Sequence, residues 1–272
     1  MTDRVLVVGA TGGVGQLAVA KLLDQGWQVR VLTRSAEKAK KMFGDRVEVA
    51  IGDIRQAESL SAAMPDITHL IAVTGTTAFP SARWEFDLPP QLNALQRFQA
   101  WSKIYLDADY RNAKAQNSPM KVDAEGVQNL VKAAPQNLKR FVFVSSCGVE
   151  RKDKTPYNLL NGFGVLDAKQ QGESAIIQAG LPYTIIRPGR LIDGPYTSYD
   201  LNTLLKATTQ GKQGIVVSTG DTLSGQTSRI DVAAACVECL NLASTNRKIF
   251  EIINQGTRPE TIDWAALFAG LE

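Results

Sequence analysis

The sequence predicts an α/β protein built on a doubly wound parallel sheet. Apolar runs rich in valine and isoleucine alternate with helical patterns from the start of the chain, beginning with VLVV at 5–8. Such continuous runs are typical of strands that are buried on both faces of a parallel sheet, with helices as the crossovers. The composition agrees, because 44% hydrophobic and 21% charged residues in a chain of 272 are ordinary for a globular protein.

The first two thirds of the chain show the alternation clearly. In VDAEGVQNLVKAA, 122–134, apolar residues recur at helical spacing, and the basic run EKAKK at 37–41 is interpreted as a solvated helix face. Proline stops the sixth strand in YTIIRPG. The predicted strands are 5–8, 28–34, 46–53, 68–75, 140–146 and 183–189, and further helices are predicted at 59–64 and 168–180.

The last third is less regular. A helix is predicted at 231–243, with Asp231 as its N-cap. Short strands are predicted in GIVVSTG and QTSRI, and a late strand at 248–254. Two more helices are predicted at 201–208 and 262–271.

One long insert, 76–119, interrupts the alternation. It separates the fourth strand from its helix by far more than the few residues typical of such connections. It holds the pair PP at 89–90 and a helix-like run from Leu92 to about Ala115. The insert is interpreted either as a lid or binding loop or as an extra helix on the rim of the fold; the two are compatible. In the second interpretation the buried residues are Leu95, Phe98 and Trp101.

Charge, cysteine and histidine content argue against several classes of protein. The formal net charge of +3 is mild and the basic residues are scattered, so no nucleic-acid partner is expected. Cys236 and Cys239 have CxxC spacing inside an apolar helical run, and with Cys147 they are predicted to be buried thiols of a reducing compartment. His69 is the only histidine, so a His-based metal site or catalytic triad is not expected. His69 starts a buried strand and is interpreted as structural.

No membrane span is predicted, because no apolar stretch is long enough to cross a bilayer. The N-terminus, MTDRVLVVGA, enters a strand at once, which predicts neither a signal nor a transit peptide. A cytoplasmic or other reducing soluble compartment is therefore expected.

The glycine spacing in VLVVGATGGVGQLAVAKLL, 5–23, is the strongest functional signal. Gly9, Gly12 and Gly15 fall between a strand and a helix, the context that a dinucleotide-binding fingerprint requires. Gly9 and Gly12 let backbone N–H groups approach a pyrophosphate, and the helix N-terminus adds partial positive charge. Gly15 lets the helix lie close to the strand. The sequence therefore predicts an NAD(P)-binding Rossmann fold, as a single domain over 1–272, rather than a glycine-rich turn that binds nothing.

The end of the second strand, VRVLTRS, decides which dinucleotide is expected. An acidic residue there would bind the ribose 2′-hydroxyl of NAD. This chain has Arg34 and Ser35 instead, with Arg30 and Lys38 nearby, and a guanidinium suits a 2′-phosphate. NADP(H) is therefore favoured over NAD(H), the alternative being that Arg34 is a surface charge. Asp53, after the third strand, is predicted to meet the adenine edge, to cap the next helix, or both.

An ordered set of motifs resembles the short-chain dehydrogenase/reductase superfamily. The set is Gly9–Gly15, Gly52-Asp53, Val122-Asp123 with Asn129, RFVFVSS, Lys169 and IIRPG. More narrowly, the chain from residue 4 to about 255 resembles the atypical NAD(P)-binding branch, which includes flavin reductase and biliverdin-IXβ reductase-like proteins and plant and cyanobacterial relatives. A stromal location is implied if the chain comes from a photosynthetic lineage. The cofactor-binding residues implied by the motifs and the resemblance are Gly9, Thr11, Gly12, Gly13, Val14, Gly15, Arg34, Ser35, Asp53, Ile54, Val73, Thr74, Gly75, Ser145, Lys169, Pro188, Gly189, Arg190 and Leu191.

Catalysis in that superfamily uses a Tyr-x-x-x-Lys pair and a serine. The resemblance implies that Lys169 holds the nicotinamide ribose and that Ser145 or Ser146 orients cofactor or substrate. The alternative for Lys169 is a solvent-exposed helix lysine. The tyrosine position falls at Val165, which cannot donate a proton. This departure argues against ordinary ketone or alcohol chemistry.

Two explanations for the missing proton donor at Val165 are open. Tyr157, Tyr196 or Tyr199 would have to fold into the site, or the acceptor takes hydride into a conjugated system and receives its proton from water. The second explanation is preferred, and it predicts an NADPH-dependent reductase of a small acceptor such as a flavin, a quinone-like ring or a linear tetrapyrrole. A redox sensor or assembly factor that binds NADPH with little turnover is the alternative, and Val165 weakens a third possibility, a nucleotide-sugar epimerase or dehydratase.

RPGRL, 187–191, ends the sixth strand at the carboxyl edge of the sheet, where ligands bind in open α/β folds. Backbone from Pro188 to Leu191 is expected to border the nicotinamide, beside a substrate-side region at about 190–230. Arg190 is a candidate partner for an anionic group of the acceptor, or it forms a local ion pair as Arg187 does. The aromatic residues that either stack on a flat acceptor or pack in the core are Trp84, Phe86 and Trp101.

Overall fold

The computed structural model describes residues 3–80, 84–192 and 212–271. Ten strands are found in this part of the chain. They are β1 (Arg4–Val8), β2 (Gln28–Thr33), β3 (Glu48–Ile51), β4 (His69–Ala72), β5 (Arg140–Val144), β6 (Tyr183–Pro188), β7 (Arg190–Leu191), β8 (Gln213–Ser218), β9 (Gln226–Thr227) and β10 (Lys248–Thr257).

Eight of these strands form one sheet in the order β3-β2-β1-β4-β5-β6-β10-β8, while β7 and β9 pair separately. Val7 of β1 pairs in parallel register with Val31 of β2 on one side and with Ile71 of β4 on the other. In this order, each pair of neighbours from β3 at one edge as far as β10 is parallel. The last strand, β8, pairs with β10 in antiparallel register at the other edge. The doubly wound parallel sheet predicted from the sequence is confirmed. Its strand order reverses between β1 and β4, which opens a crevice at the carboxyl ends of these two strands.

Helices connect the strands and cover both faces of the sheet. They are α1 (Gly13–Asp24), α2 (Ala36–Phe43), α3 (Ala94–Leu106), α4 (Ala108–Lys114), a π-helical segment (Met120–Glu125) that runs into α5 (Gly126–Ala133), α6 (Tyr157–Leu160), α7 (Val165–Gln178), α8 (Arg229–Asn241) and α9 (Trp264–Ala269).

The core lies on both sides of the sheet, which explains the continuous apolar runs. Val5 and Val7 of β1 contribute to a cluster that includes residues of α1 and α8, whereas Leu6 and Val8 contribute to a second cluster with Leu130 of α5. Successive side chains of a strand point to opposite faces, so a strand covered on both faces needs apolar residues at every position.

The predicted strands extend too far at their carboxyl ends. The second, third, fourth and fifth strands end at Thr33, Ile51, Ala72 and Val144, one to three residues earlier than predicted. The residues beyond these ends begin the loops at the crevice, although Val73 N and Ser145 N still donate to Val8 O and Ile186 O of the neighbouring strands at 2.9 and 2.8 Å. They include Arg34, Asp53, Val73, Thr74, Gly75, Ser145 and Ser146.

Two helix predictions are corrected. The predicted helix at 59–64 is a pair of 3₁₀ turns, Ala57–Ser59 and Ser61–Ala63. Asp231 is not the N-cap of α8, because Ser228 caps it and its Oγ accepts from Ile230 N at 3.3 Å. The Asp231 carboxylate is instead bound by the Arg258 guanidinium. The predicted helix at 201–208 and much of the predicted region at 190–230 lie outside the described residues.

The insert forms two helices, α3 and α4, rather than one run, and Asp107 caps the second of them. The prediction that Leu95 and Phe98 are buried is wrong, since their exposed fractions are 66% and 71%. Trp101, between them and the body, is half-buried. The first half of α3 projects from the fold, so its apolar side chains have no neighbouring element to pack against among the described residues.

No helix among the described residues is long and apolar enough to cross a membrane.

Candidate dinucleotide-binding site

The glycine turn after β1 leaves backbone N–H groups pointing into the crevice. Gly9 has φ of +85°, and Gly12 N donates to Gly9 O at 2.9 Å, which closes the turn. In this turn the N-cap of α1, Gly12, makes no side-chain cap hydrogen bond, and the first turn of the helix has no acidic residue. A helix N-terminus in this state favours an anion such as a pyrophosphate.

Gly15 sets how closely α1 approaches this turn. A Cβ at Gly15 would lie 2.1 Å from Gly9 O, which no side chain can tolerate. Gly9 is less extreme but also tight, because a Cβ there would lie 3.0 Å from Thr74 N. Gly15 therefore lets α1 lie against the glycine turn, and Gly9 lets the loop after β4 lie against the same turn. This is the close approach that the predicted role of Gly15 requires.

The loops after β2 and β3 form one end of the crevice. Arg34 and Ser35 are exposed, and Ser35 Oγ accepts from Lys38 N at 3.2 Å as the N-cap of α2. Asp53 caps no helix, because the turn that follows begins only at Ala57 and has Gln56 as its N-cap. Its carboxylate accepts from Arg55 N at 3.0 Å, and both its oxygens are bound by the Arg55 side chain. Burial raises the pKa of the Asp53 carboxyl, but the hydrogen bonds of Arg55 and the charges of Arg55 and Arg34 outweigh burial and lower that pKa. An ionised carboxylate beside Arg34 results.

Arg30 is directed away from this end of the crevice. Its guanidinium donates to Glu48 Oε2 at 2.9 Å, and to Ala63 O and Pro65 O at 2.9 and 2.6 Å. Its proximity to Arg34 in the sequence therefore does not make it a phosphate ligand, because its guanidinium is already bound by Glu48 and two backbone carbonyls.

Asn129, one of the motif residues, holds the loop after β3 in place. Its Nδ2 donates to Ile54 O at 2.9 Å and so ties this loop to α5. Ile54 is buried and contacts Gly126, where a Cβ would lie 2.7 Å from Ile54 Cδ1. Asn129 and Gly126 thus position Asp53 and Ile54 without reaching the crevice themselves.

Two hydroxyl groups lie without partners at the centre of the crevice. Thr74 follows β4 and Ser145 follows β5, and these strands are neighbours in the sheet. Thr74 Oγ1 and Ser145 Oγ are both buried, and no described residue gives either of them a hydrogen bond. Buried hydroxyls are normally paired, so this pair fits polar groups of a bound nucleotide. Ser146 is different, because its hydroxyl lies 3.0 Å from Cys147 O and donates to it.

Lys169 is buried, so its interpretation as an exposed helix lysine is wrong. It is 7% exposed, and its Nζ donates to Val144 O at 2.9 Å and to Thr74 O at 3.2 Å. The same Nζ lies 2.8 Å from Asp123 Oδ1. Asp123 is fully buried on the π-helical segment, and its Oδ2 accepts from Thr76 N at 3.2 Å. Asp123 belongs to the motif set of the resemblance but has no role predicted from the sequence; an acid within an apolar helical stripe is the available signal.

The position expected for a tyrosine is closed by apolar side chains. Val165 is 8% exposed and forms a cluster with Val149 and Leu166, against which Ala78 of the insert packs. Tyr157 packs against the same cluster, but its hydroxyl lies 2.9 Å from Ser224 Oγ and is engaged there. Tyr196 and Tyr199 lie outside the described residues.

The end of β6 is held by a buried ion pair. Arg187 donates to Glu173 of α7 at 3.0 and 2.7 Å and to Glu150 at 2.6 Å. Local ion pairing of Arg187 is thus confirmed. Beyond it, Gly189 N donates to Thr227 Oγ1 at 2.9 Å, and a Cβ at Gly189 would lie 2.5 Å from Gly225 O. Backbone from Pro188 to Leu191 is pinned at the crevice, while the Arg190 side chain is exposed.

Two acidic residues that the sequence does not single out, Asp221 and Glu251, join the loops after β5 and β8. Asp221, which has φ of +50°, accepts from Gly148 N at 2.7 Å and from Glu150 N at 2.8 Å. Glu251 of β10 is fully buried and accepts from three consecutive backbone N–H groups, those of Asp221, Thr222 and Leu223. The loop after β8 is thereby fastened to the loop after β5. Asp221 lies in a Gly-Asp turn, which was the only local signal.

The aromatic residues of the insert pack on one another. Trp84 stacks on Phe86 with ring centroids 6.1 Å apart, and Phe86 meets the edge of Trp101 at 5.6 Å. Arg55 Nη1 donates to Gln116 O at 2.8 Å, and Phe79 contacts Phe163 with ring centroids 5.8 Å apart. The insert is therefore anchored both to the loop after β3 and to the segment before α7, across the carboxyl edge of the sheet.

Sheet, glycine turn and unpartnered hydroxyls together define a dinucleotide-binding α/β protein. A family model described as NAD(P)H-binding matches residues 9–242. The chain belongs to this family, in agreement with the resemblance to atypical short-chain dehydrogenase/reductases.

Several known proteins are similar to the chain. Sanguinarine reductase of Eschscholzia californica is 31% identical over 97% of this chain and 94% of its own length. Photosystem II assembly factor Ycf39 of Cyanophora paradoxa is 25% identical over 93% of this chain and 64% of its own length. The structure of ChuY, an anaerobilin reductase from Escherichia coli O157:H7, superposes with a TM-score of 0.64 at 21% identity and covers 94% of this chain and 100% of that one. The last likeness concerns the fold alone.

Proposed function

We propose that the chain is an NADPH-dependent reductase that passes hydride to a conjugated acceptor such as a flavin, a quinone-like ring or a linear tetrapyrrole. One observation carries the proposal: the position of the expected acid is filled by Val165 within an apolar cluster. The site is shaped for a cofactor and offers no proton donor at that position.

The residues present fit a dinucleotide that extends along the carboxyl edge. The turn Gly9–Gly15, with Thr11, Gly13 and Val14, would hold the pyrophosphate on backbone N–H groups. The adenosine end would lie against Arg34, Ser35, Asp53 and Ile54. The nicotinamide end would lie against the loop 73–75 with Val73, Thr74 and Gly75, against Ser145 and Lys169, and against the backbone of Pro188, Gly189, Arg190 and Leu191.

Arg34 supports the choice of NADP(H) over NAD(H). Its guanidinium is exposed at the end of β2, where a ribose 2′-substituent would lie, and Ser35 offers a further polar group. A second positive group, Arg55, is already neutralised by Asp53. Arg34 thus supplies the positive charge for a 2′-phosphate.

The proposed chemistry follows from the missing proton donor at Val165. Bound NADPH supplies a hydride equivalent, and the acceptor must take the electron pair into its own conjugated system. Val165, Val149 and Leu166 keep this wall apolar, so the chain protonates nothing from that side and water supplies the proton. Exposed Arg190 is positioned for an acidic substituent of the acceptor, such as a propionate or phosphate.

The names of the relatives support a reductase, and one of them supports the alternative of an NADPH-binding sensor or assembly factor. The name of sanguinarine reductase, 31% identical to the chain, describes a reductase. The name of Ycf39 describes an assembly factor, which favours the second candidate, an NADPH-binding sensor or assembly factor with little turnover. A reducing compartment, cytoplasmic or stromal, suits both candidates, because Cys147, Cys236 and Cys239 are free and buried thiols.

Two measurements test the proposal. Fluorescence titration with NADPH and NADH should give at least a tenfold lower Kd for NADPH, and Arg34→Ala should weaken NADPH binding by roughly 10- to 100-fold while leaving NADH unchanged, as expected for loss of charge-assisted hydrogen bonds. Arg97→Ala, at an exposed site on the insert, is the matched control. A preference for NADH would overturn the cofactor choice.

The acceptor is then tested by steady-state oxidation of NADPH with a flavin, a quinone and biliverdin in turn. Oxidation that depends on one of these acceptors supports the reductase. Tight NADPH binding with no acceptor-dependent oxidation would contradict it and favour the sensor or assembly factor.

A further inference from the structure

The Lys169 ammonium is enclosed by the fold before any ligand arrives. Two backbone carbonyls, those of Thr74 and Val144, accept its hydrogen bonds, and the Asp123 carboxylate lies 2.8 Å away. The Phe143 ring covers a further side, with its centroid 4.9 Å from Nζ. An ammonium has three donors and no acceptor. Two of them are given to these carbonyls, while Asp123 Oδ1 lies at ion-pair distance without forming a hydrogen bond. The fold therefore already holds the ammonium in place.

The partners of Lys169 belong to different elements. Thr74 lies in the loop after β4, Val144 ends β5, and Asp123 lies on the π-helical segment before α5. Asp123 adds a second tie to the same loop, because its Oδ2 accepts from Thr76 N. Lys169 on α7 therefore fastens the loop 73–76 to the end of the neighbouring strand.

The hydroxyls of Thr74 and Ser145, unlike the Lys169 ammonium, have not formed hydrogen bonds with the described residues. Thr74 Oγ1 and Ser145 Oγ are buried and have no partner in the described part of the chain. Thr74 is held through its carbonyl by Lys169, and Ser145 is the residue after Val144, the other carbonyl that Lys169 binds. Lys169 thus positions the Thr74 and Ser145 hydroxyls, which are free to form hydrogen bonds with a ligand.

From this geometry we infer that Lys169, with Asp123, is a positioning residue, and that the hydroxyls of Thr74 and Ser145 make the contacts to the nicotinamide nucleoside. The inference rests on the proposed function, since it assigns roles at the same cofactor site. The resemblance implies that Lys169 itself holds the nicotinamide ribose; here Lys169 positions the loop, and the two hydroxyls contact the nucleoside.

Lys169→Met keeps the length of the side chain but leaves the Asp123 carboxylate buried without its counter-charge, which is strongly destabilising. We expect the melting temperature without cofactor to fall by about 6 °C or more for a domain of this size, and the NADPH Kd to rise about tenfold as the loop loosens. Adding Asp123→Asn removes the uncompensated charge and keeps an acceptor for Thr76 N. The double variant should regain at least half of the lost melting temperature and bring the Kd to within about threefold of the unchanged chain. Gln171→Met, an exposed position on the same helix, is the matched control.

The hydroxyl variants should behave in the opposite way. Thr74→Val and Ser145→Ala should each raise the NADPH Kd by about 2- to 10-fold, the effect of one neutral hydrogen bond, with melting temperatures without cofactor that match the unchanged chain.

The outcomes separate the two roles. If the double variant regains stability but its NADPH Kd stays ten times higher, Lys169 contacts the cofactor and the inference is overturned. An unchanged melting temperature for Lys169→Met would also overturn it. Failure of the unchanged chain to bind NADPH would instead overturn the proposed function, a result that the binding titration reveals before any variant is compared.

Discussion

Loss of the Arg187 guanidinium should destabilise the chain strongly, because it leaves a carboxylate buried on its own. Arg187 and Glu173 have side-chain exposed fractions of 4% each, and two hydrogen bonds of 3.0 and 2.7 Å join them. Removing one partner of such a pair costs about 3–5 kcal/mol. For a chain of this size that corresponds to a fall in melting temperature of roughly 6–20 °C. Arg187→Met keeps the stem of the side chain, so the lost packing is small.

The double variant Arg187→Met/Glu173→Met decides whether the lone charge is the cause. Replacing a buried ion pair by apolar residues of similar volume is often neutral, so the double variant should recover most of the free energy of unfolding that the single variant loses. Urea denaturation measures both, with Arg97→Met at an exposed position as the control. The reasoning fails if Arg187→Met lies within about 1 kcal/mol of the unchanged chain, or if the double variant is no more stable than the single one.

Two further predictions concern pH and access to the site. Burial lowers the pKa of His69 to about 4, so below its ordinary value of 6.5 the unfolded chain binds a proton that the folded chain does not. Its contribution to stability is therefore complete above about pH 6.5 and is lost as the pH falls towards 4, by up to roughly 3 kcal/mol. Urea unfolding of the unchanged chain and of His69→Gln across this range should show a smaller loss for the variant, and equal losses would contradict the assignment. Gly75 is exposed, and a Cβ there would lie 3.6 Å from both Lys169 Nζ and Asp123 Oδ1, an ordinary contact. Gly75→Val should therefore fold normally yet raise the NADPH Kd by roughly tenfold or more by filling the space for the nicotinamide ribose; Kd unchanged at equal melting temperature would show that the cofactor does not pass over Gly75.

The agreement between sequence and structure is best where a signal is local. Each buried strand carries its own apolar run, and the turn at Gly9–Gly15 needs its glycines whatever the rest of the chain does. Strand ends are predicted less well, because residues such as Thr74 and Ser146 continue the strand pattern of the sequence but belong to the loops at the crevice. The hydrophobicity of Leu95 and Phe98 suggested burial, and only the position of α3 relative to the body shows that they are exposed.

The sequence by itself determined the parallel α/β fold, the glycine turn and the candidate positions along the carboxyl edge, because periodicity and turn chemistry act between near neighbours in the chain. The tertiary structure alone decided what those candidates touch. The order of the strands in the sheet determines that Lys169 contacts Asp123 and two carbonyls, and that Arg187 contacts Glu173. It also leaves the hydroxyls of Thr74 and Ser145 without partners among the described residues. Partnership and burial depend on contacts between distant segments and on the exclusion of water, and neither of these is encoded in local spacing.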